Sequence, residues 1–190
     1  LILDECESIF EQLDSKLVQK TFSDRFAKFK LLLESAEHLI CMDANVSSRT
    51  FSILSLLRNG PTTFHNNVYK NATEDTYHFT GDKTLWVSKL LKLIEVGKKI
   101  AIPMTSCADA VVLEETIRKK FPNLRIKLYS RLTLQSEKTK HFADINTYWS
   151  NYDIVIYTPT VSAGVSFEME HFDCIFGYFI NLSCTIETCH

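Results

Sequence analysis

The chain has 190 residues, of which 45% are hydrophobic, 12% aromatic and 23% charged, with only 5 Gly and 4 Pro. This composition excludes a collagen-like or disordered chain and supplies enough apolar residues for a sizeable core. The formal net charge of −2 excludes a uniformly basic nucleic-acid-binding protein but is compatible with a local basic groove.

Short apolar strands alternate with amphipathic helices in the first part of the chain. The hydrophobic spacing predicts a strand over Leu1–Leu3, a helix over Phe22–Glu37, a strand over His38–Met42 and a helix over Ser47–Arg58. Asn-Gly-Pro at residues 59–61 ends the last of these helices. No apolar run approaches the roughly 18 residues that a membrane-spanning helix needs, so no membrane partner is predicted.

The regular periodicity fades between residues 59 and 81, where we place a candidate domain boundary. Thr, Phe, Val and Tyr occur in alternation over Thr62–Thr80 and predict one or two strands. Beyond this segment the predicted helices are Thr84–Val96, Asp109–Phe121 and Glu137–Trp149, and the predicted strands are Lys99–Met104, Arg125–Tyr129, Asp153–Tyr157 and Phe172–Phe179. Strands separated by helices of this length indicate βαβ units, so the predicted fold class is α/β with parallel sheets flanked by helices.

The first candidate motif is the pair of acids, Asp4 and Glu5, that follows the first apolar strand. In parallel α/β sheets, ligands bind at the carboxyl ends of the strands. Two neighbouring carboxylates there suit nucleotide hydrolysis, because one can hold Mg²⁺ while the other acts on the attacking water. The alternative is structural, because an acid at this position also caps the helix that follows.

The second candidate motif, Asp43-Ala44-Asn45, again follows a short apolar strand. Polar groups at this point can form hydrogen bonds with the acids of the first motif and transmit the state of a bound nucleotide. The alternative is that Asn45 or Ser47 is an ordinary N-cap of the next helix.

The third motif, residues 157–167, is the most informative stretch of the chain. Its hydroxyl-rich sequence, Tyr-Thr-Pro-Thr-Val-Ser-Ala-Gly-Val-Ser-Phe, follows an Ile-Val-Ile strand. Backbone N–H and side-chain O–H groups in such a loop can bind phosphates, and Gly164 permits a close approach of the backbone. The alternative is a simple turn before the next strand.

A fourth candidate pair, Thr105 and Ser106, closes one strand and opens the next helix. Hydroxyls at a helix N-terminus can hold a backbone phosphate, or they can cap the helix. Seven basic residues surround this part of the sequence, and we expect most of them to form a solvated face: Lys98, Lys99, Arg118, Lys119, Lys120, Arg125 and Lys127.

The order of these motifs resembles the superfamily 2 helicases, and most closely the replication origin-binding proteins of herpesviruses and their relatives. The stretches that carry the resemblance are LILDECESIFEQL, YTPTVSAGVSFE and HFDCIFGYF with a Cys further on. The resemblance implies two RecA-like lobes facing each other across an ATP site, with DNA running over both. Residues 1–60 would then end the first lobe, residues 61–80 would form a connector or short strands, and residues 81–190 would form most of the second lobe.

The resemblance also implies a role for each motif. Asp4 would hold Mg²⁺ and Glu5 would activate water, so the implied cofactors are ATP and Mg²⁺. The implied nucleotide-binding or coupling residues are Asp43, Ala44, Gly164 and Ser166, and the implied DNA-binding residues are Thr105, Ser106, Thr158, Thr160 and Ser162. The implied partner is single-stranded or origin DNA, and the implied location is the nucleus or a viral replication site inside the cell.

Two motifs of such helicases are missing from these 190 residues. No Gly-x-x-x-x-Gly-Lys-[Ser/Thr] phosphate loop occurs, nor does the Gln-x-x-Gly-Arg-x-Arg motif that carries the arginine finger. We expect both to lie outside a chain that has been cut from a longer protein, and we expect this chain alone to hydrolyse ATP negligibly. The alternative functions are a non-catalytic nucleic-acid-binding or interaction module, and a small-molecule α/β enzyme that lacks a dinucleotide fingerprint.

Overall fold

The computed structural model describes residues 1–13, 22–68, 76–161 and 165–180. The chain divides into two compact units, Leu1–Glu74 and Asp75–His190. Both units contain only parallel strand pairs among the described residues, with helices packed against the sheets. The predicted α/β class with parallel sheets is therefore confirmed. Within the described ranges, no helix is long and apolar enough to cross a membrane.

The first unit packs three helices against a two-stranded sheet. Its elements are β1 (Ile2–Asp4), α1 (Cys6–Leu13), α2 (Phe22–Ser35), β2 (Ile40–Met42) and α3 (Ser48–Leu57). Leu3 lies opposite Cys41 in the parallel pair. Buried side chains from β1 and all three helices form one core: Leu3, Cys6, Phe10, Leu33 and Leu57. Each element predicted before residue 60 is present, with bounds within a few residues of the prediction.

Arg58 ties α3 to the end of α2. Its guanidinium Nη1 donates to the carbonyl oxygens of Leu33 and Ala36, each at 2.6 Å. The last carbonyls of a helix have no partner within the helix, and a cation close to them also interacts favourably with the helix dipole. Arg58 therefore closes α2 from a position 22 residues further along the chain than Ala36.

The strands predicted over Thr62–Thr80 are wrong for the parts that the structure describes. Residues 61–68 and 76–80 contain no strand. A two-residue alternation produces a strand only where a neighbouring strand satisfies the backbone and a core covers one face. Here the apolar members of the alternation are exposed: Phe64 by 57%, Val68 by 79%, Tyr77 by 69% and Phe79 by 94%.

The second unit contains a four-stranded sheet between two layers of helices. Its elements are α4 (Lys83–Glu95), β3 (Ile100–Pro103), α5 (Cys107–Lys120), β4 (Ile126–Tyr129), α6 (Gln135–Ala143), α7 (Ile145–Trp149), β5 (Ile154–Tyr157) and β6 (Cys174–Ile175). The strand order is β4-β5-β3-β6. Ile154 and Ile156 of β5 pack in the core that α4 and α5 cover, whereas Val155 lies in the core with α7. Both faces of the central strand are thus buried, which explains its continuous apolar sequence.

Two predicted elements of this unit differ from the structure. The helix predicted over Glu137–Trp149 is divided at Asp144, whose φ of −144° is not helical and whose carboxylate accepts a hydrogen bond from Thr147 N at 3.2 Å. The strand predicted over Phe172–Phe179 shrinks to β6 and one further bridge, between Met104 and Tyr178. Between them, the carbonyl of Gly177 accepts a hydrogen bond from the Trp86 indole at 2.8 Å.

Ion pairs hold the amino ends of the strands in register. The carboxylate of Asp153, just before β5, accepts bonds from the backbone N and the guanidinium Nη2 of Arg125, just before β4, at 2.9 and 2.7 Å. Asp173, just before β6, accepts bonds from Lys99 N and Lys98 Nζ, each at 2.8 Å. A hydrogen bond from Arg125 is the main cause that lowers the pKa of Asp153 below its ordinary value of 3.8.

The Asp153→Asn variant is expected to be less stable than the wild type by about 1–2 kcal/mol at pH 7, because the charge-assisted bonds to Arg125 are weakened. The folded pKa is depressed, so the wild-type advantage is complete above pH 3.8 and disappears as the pH falls through the folded pKa. Urea unfolding at pH 7 and again below pH 3.8 measures this. Glu115→Gln, an exposed site on α5, is the control; equal destabilisation by both variants would contradict the assignment.

Candidate functional site

Asp4 and Glu5 lie where β1 ends, and both are exposed. Asp4 Oδ1 accepts a hydrogen bond from the backbone N of Glu5 at 3.2 Å. The Glu5 carboxylate has no hydrogen bond or ion pair with another described residue. The predicted acids are therefore side by side at the carboxyl edge of the β1–β2 pair, with their remaining oxygens open to solvent.

The backbone of Glu5 adopts an uncommon conformation. Its φ is +55°, and no other non-glycine residue in the described ranges has a positive φ. This left-handed conformation costs an L-residue about 1–2 kcal/mol. It turns the chain sharply from β1 into α1, where the Glu5 carbonyl accepts from Ile9 N at 3.2 Å. Strain of this kind concentrates at functional sites, where the surrounding structure holds it in place.

Asp43, and not Asp4 or Glu5, caps the amino end of α1. Asp43 Oδ2 accepts a hydrogen bond from the backbone N of Glu7 at 2.9 Å, and Oδ1 accepts from Asn45 N at 2.8 Å. The sequence offered Asp4 or Glu5 as the cap of this helix, but Asp43, a residue of the second motif, caps it instead. Ala44 is exposed in the turn beside Asp43.

Glu7 of α1 in turn caps the amino end of α3. Its Oε1 accepts from the backbone N of Ser47 at 2.6 Å and from the Thr50 hydroxyl at 2.7 Å, and its Oε2 accepts from the Ser47 hydroxyl at 2.9 Å. The Arg49 guanidinium lies 3.8 Å away. Burial opposes ionisation, but these hydrogen bonds outweigh it and lower the pKa of Glu7 below 4.5. Glu7 is therefore a carboxylate at neutral pH.

The two caps join the helix that follows the first motif to the second motif. Asp43 satisfies α1, Glu7 satisfies α3, and Ser47 is itself the N-cap of α3, accepting from Arg49 N at 3.2 Å. The sequence predicted hydrogen bonds from the second motif to the acids Asp4 and Glu5, but among the described residues Asp43 accepts a hydrogen bond from the backbone N of Glu7 instead. Ser47 is the cap that the sequence offered as the alternative, and the sequence gave no role to Glu7. The only sequence signal at Glu7 was its place in the first turn of a short helix. An acid there usually interacts with the amino end of its own helix and not with that of a distant one.

The donor set at this edge suits a hard cation. Carboxylate oxygens are the protein ligands that Mg²⁺ uses, commonly one or two of them together with phosphate oxygens and water. Asp4 offers such an oxygen, and the described residues contain no cluster of three or more His, Cys, Asp or Glu side chains able to hold a metal by themselves.

Cys6, the residue after Glu5, has the surroundings of a structural thiol. Cys6 is fully buried, and burial is the main cause that raises its pKa above 9.0. The half-buried Cys41 has its pKa raised to about 11, again mainly by burial. Burial thus disfavours the thiolate form of both cysteines, as is typical of structural cysteines.

Thr105 and Ser106 are buried at the carboxyl end of β3, each with 6% exposure. The Thr105 hydroxyl donates to the Ile180 carbonyl at 3.1 Å and accepts from Ile180 N at 2.8 Å. Ser106 is the N-cap of α5, where its hydroxyl accepts from Asp109 N at 3.2 Å. The capping alternative is therefore present at Ser106, and the predicted contact of these two residues with DNA stays a prediction.

Thr158 and Thr160 lie together at the carboxyl end of β5. Their hydroxyl oxygens are 3.1 Å apart, and Thr158 N donates to the Tyr129 carbonyl at 2.9 Å. Thr158 is 5% exposed, whereas Thr160 is half-buried and Ser166 is exposed. The predicted residues Ser162 and Gly164 lie outside the described residues. The structure thus brings Thr158 and Thr160 together, on the same edge of this sheet as Thr105.

Most of the basic residues singled out in the sequence serve the fold. Four of the seven are paired with carboxylates: Lys98 with Asp173, Arg118 with Glu114, Arg125 with Asp153 and Lys127 with Glu137. Lys98, Lys99 and Arg125 precede strands and so lie at the amino edge of the sheet, opposite the hydroxyl groups. They are poorly placed to extend a phosphate site at the carboxyl edge.

Fold and site together define an α/β protein of parallel sheets whose candidate acids and hydroxyls lie at the carboxyl ends of the strands. Sequence comparison then gives the family. The family described as "Origin of replication binding protein" matches residues 1–73 and 60–185. The chain belongs to this family, which confirms the resemblance drawn from the motifs.

Similar curated proteins include members from two groups of viruses. A protein of African swine fever virus (strain Badajoz 1971 Vero-adapted) named "Putative helicase/primase complex protein" is 47% identical over 190 residues, covering 100% of this chain and 18% of the relative. The "Replication origin-binding protein" of human herpesvirus 6A is 30% identical, covering 94% of this chain and 23% of the relative. The protein of that name from human herpesvirus 7 is 30% identical over 186 residues, with 94% and 22% covered. The chain thus spans about a fifth of the length of these relatives.

Proposed function

We propose that this chain is the central part of an ATP-dependent DNA helicase that acts in replication, where ATP hydrolysis drives the unwinding of origin DNA. Membership of the origin-binding family supports a role at replication origins, and the names of the relatives support helicase activity. Residues 1–60 then end a first RecA-like lobe, and residues 81–190 form most of a second. The protein that contains the chain is called the parent protein below, and its place of action is the nucleus or a viral replication site.

The observation that carries this proposal is the exposed pair Asp4 and Glu5 at the end of β1. Capping is the usual structural reason for acids at such a point, and here Asp43 performs it. Both acids therefore keep carboxylate oxygens open to solvent at the edge where α/β sheets bind ligands, and the backbone of Glu5 is strained.

The two acids would divide the work of hydrolysis. Bound Mg²⁺ would neutralise charge on the phosphates of ATP, and Asp4 would hold it. Glu5, free of other partners, would orient the attacking water and accept its proton. Asp43 and Glu7 would keep α1 and α3 fixed behind the acids through their reciprocal caps.

The remaining predicted residues divide between nucleotide and DNA. Asp43, Ala44, Gly164 and Ser166 would respond to the nucleotide. Thr158 and Thr160, with Thr105, Ser106 and Ser162, would hold DNA phosphates. The half-buried Thr160 supports this assignment, because a hydroxyl at a strand end can donate to a phosphate group. The buried Thr158 forms a hydrogen bond with the Thr160 hydroxyl and would hold it in position.

The test is DNA-dependent ATP hydrolysis and strand separation by the parent protein. We expect hydrolysis that single-stranded DNA stimulates, and negligible hydrolysis by the 190-residue chain alone, because it contains no phosphate loop and no arginine-finger motif. An arginine finger contributes about 10³–10⁵ in rate in related phosphoryl transfer. A parent protein that binds DNA but neither hydrolyses ATP nor separates strands would favour the alternative, a non-catalytic nucleic-acid-binding module derived from a helicase.

A further inference from the structure

The loop between β4 and α6, residues 130–134, is held rigidly by its own hydrogen bonds. Ser130 is 1% exposed, and its backbone N donates to the Thr133 hydroxyl at 3.0 Å. The Thr133 hydroxyl donates in turn to the Leu128 carbonyl at 3.2 Å, and Leu132 N donates to the Ser130 hydroxyl at 3.2 Å. The polar groups of Ser130 and Thr133 are thus directed inward, and the shape of this β4–α6 loop is fixed.

The same loop directs an arginine and two leucines outward. Leu132 and Leu134 are 69% and 71% exposed, and Arg131 is exposed between the fixed residues. Arg118, Arg125 and Arg131 are the arginines of the second unit. The first two are ion-paired, whereas Arg131 has no ion pair with any described residue. A rigid loop that presents a free guanidinium beside two apolar side chains is arranged to meet a ligand with both anionic and apolar parts.

The position of the loop indicates which ligand it would meet under the proposed function. The loop continues from the carboxyl end of β4, and Tyr129, the last residue of β4, accepts the backbone hydrogen bond of Thr158 at 2.9 Å. The β4–α6 loop is therefore adjacent to the hydroxyl pair of Thr158 and Thr160. Single-stranded DNA has the required chemistry, because its phosphates pair with arginine and its unstacked bases offer apolar faces.

We propose that the β4–α6 loop is a further contact for single-stranded DNA, with Arg131 on a backbone phosphate and Leu132 and Leu134 against the bases. This inference rests on the proposed function, which places DNA on Thr158 and Thr160. It adds to that function an element that contacts bases, so that the strand is held by its backbone and its bases at neighbouring points. Leucine is among the apolar side chains that proteins place against base steps.

The test measures binding of a fluorescent 20-nucleotide oligothymidylate to the parent protein at several salt concentrations. Arg131→Gln is expected to weaken binding about fivefold or more and to reduce the slope of log affinity against log salt by about 0.7, the value for one phosphate contact on a single strand. The double variant Leu132→Ser and Leu134→Ser is expected to weaken binding about threefold or more with an unchanged slope, because it removes only base contacts.

Matched controls separate these contacts from bulk effects. Lys119→Gln removes one positive charge from an exposed site on α5 that has no ion pair with the residues the structure describes. Val112→Ser removes a 62% exposed apolar side chain from the same helix. Both are expected to bind as the wild type does. If Lys119→Gln matches Arg131→Gln, or if the loop variants bind as tightly as the wild type, the proposal is overturned.

Footprinting of the wild-type protein makes the test independent of variant folding. Hydroxyl-radical oxidation of Leu132 and Leu134 should fall at least about twofold when the oligothymidylate saturates the protein, as expected for side chains that bases cover. Unchanged oxidation, or protection only by a protein partner, overturns the proposal. If the wild-type parent protein does not bind the oligothymidylate, the proposed function fails as well, whereas binding without loop protection removes this inference alone.

Discussion

The Glu5→Gln variant of the parent protein is expected to lose DNA-stimulated ATP hydrolysis by at least about 10²-fold, the range over which a general base contributes. The amide keeps the size of the side chain but cannot accept the proton of the attacking water. Glu5 has no hydrogen-bond or ion-pair partner among the described residues whose loss would disturb the fold, so ATP binding and thermal stability should be unchanged. Phosphate release at saturating ATP and single-stranded DNA measures the effect.

Two control variants give this result its meaning. Glu11→Gln changes an exposed acid of α1, the helix that follows Glu5, and should hydrolyse ATP at the wild-type rate. Glu5→Gly should be as inactive as Glu5→Gln yet at least as stable as the wild type, because glycine adopts the φ of +55° without the steric cost borne by glutamate. Undiminished hydrolysis by Glu5→Gln would remove Glu5 from the catalytic assignment.

The hydrophobic pattern predicted those parts of the fold in which a core covers the element. The buried Ile154 and Ile156 made β5 recognisable as a strand, and the placement of Asp4 followed from the end of β1. The pattern failed over Thr62–Thr80, because alternation describes a possible strand and cannot supply a partner strand. It also failed at Asp144, where one helix ends and the next begins. The hydrophobic pattern cannot tell whether an Asp at such a position lies within one helix or caps a second one.

The sequence located the candidate acids but not the interactions that hold them. The caps of α1 and α3 cross between segments, and the Asp43 and Glu7 positions are 36 residues apart. Local rules assign a capping acid to the helix that it begins, so they cannot anticipate an exchange between two helices. The rigid β4–α6 loop escaped notice for a similar reason, since the exposure of Leu132 and Leu134 depends on the inward hydrogen bonds of Ser130 and Thr133.

The Glu7→Ala variant is expected to destabilise the first unit by about 3 kcal/mol, which makes it the largest stability effect anticipated here. The substitution removes the acceptor of three hydrogen bonds, including the carboxylate that the Thr50 hydroxyl donates to. Thr50 is only 1% exposed, so water cannot readily replace that carboxylate. Each buried polar group left unpaired costs about 1–3 kcal/mol. Glu7→Gln should lose about half as much, because the amide oxygen still accepts while its nitrogen cannot.

The pH dependence distinguishes this effect from a simple loss of packing. The folded pKa of Glu7 is depressed, so its carboxylate stabilises the folded state fully above pH 4.5 and this contribution is lost as the pH falls through the folded pKa. The difference in unfolding free energy between the wild type and Glu7→Gln should therefore shrink in acid, whereas a packing defect would persist.

Amide hydrogen exchange at Ser47 tests the cap directly, because the backbone N–H of Ser47 donates a hydrogen bond to the Glu7 carboxylate. Glu11→Ala, at an exposed position, is the control. If the Ser47 amide of Glu7→Ala is as protected from exchange as that of the wild type, Glu7 does not hold α3, and the proposed link between α1 and α3 through this cap is wrong.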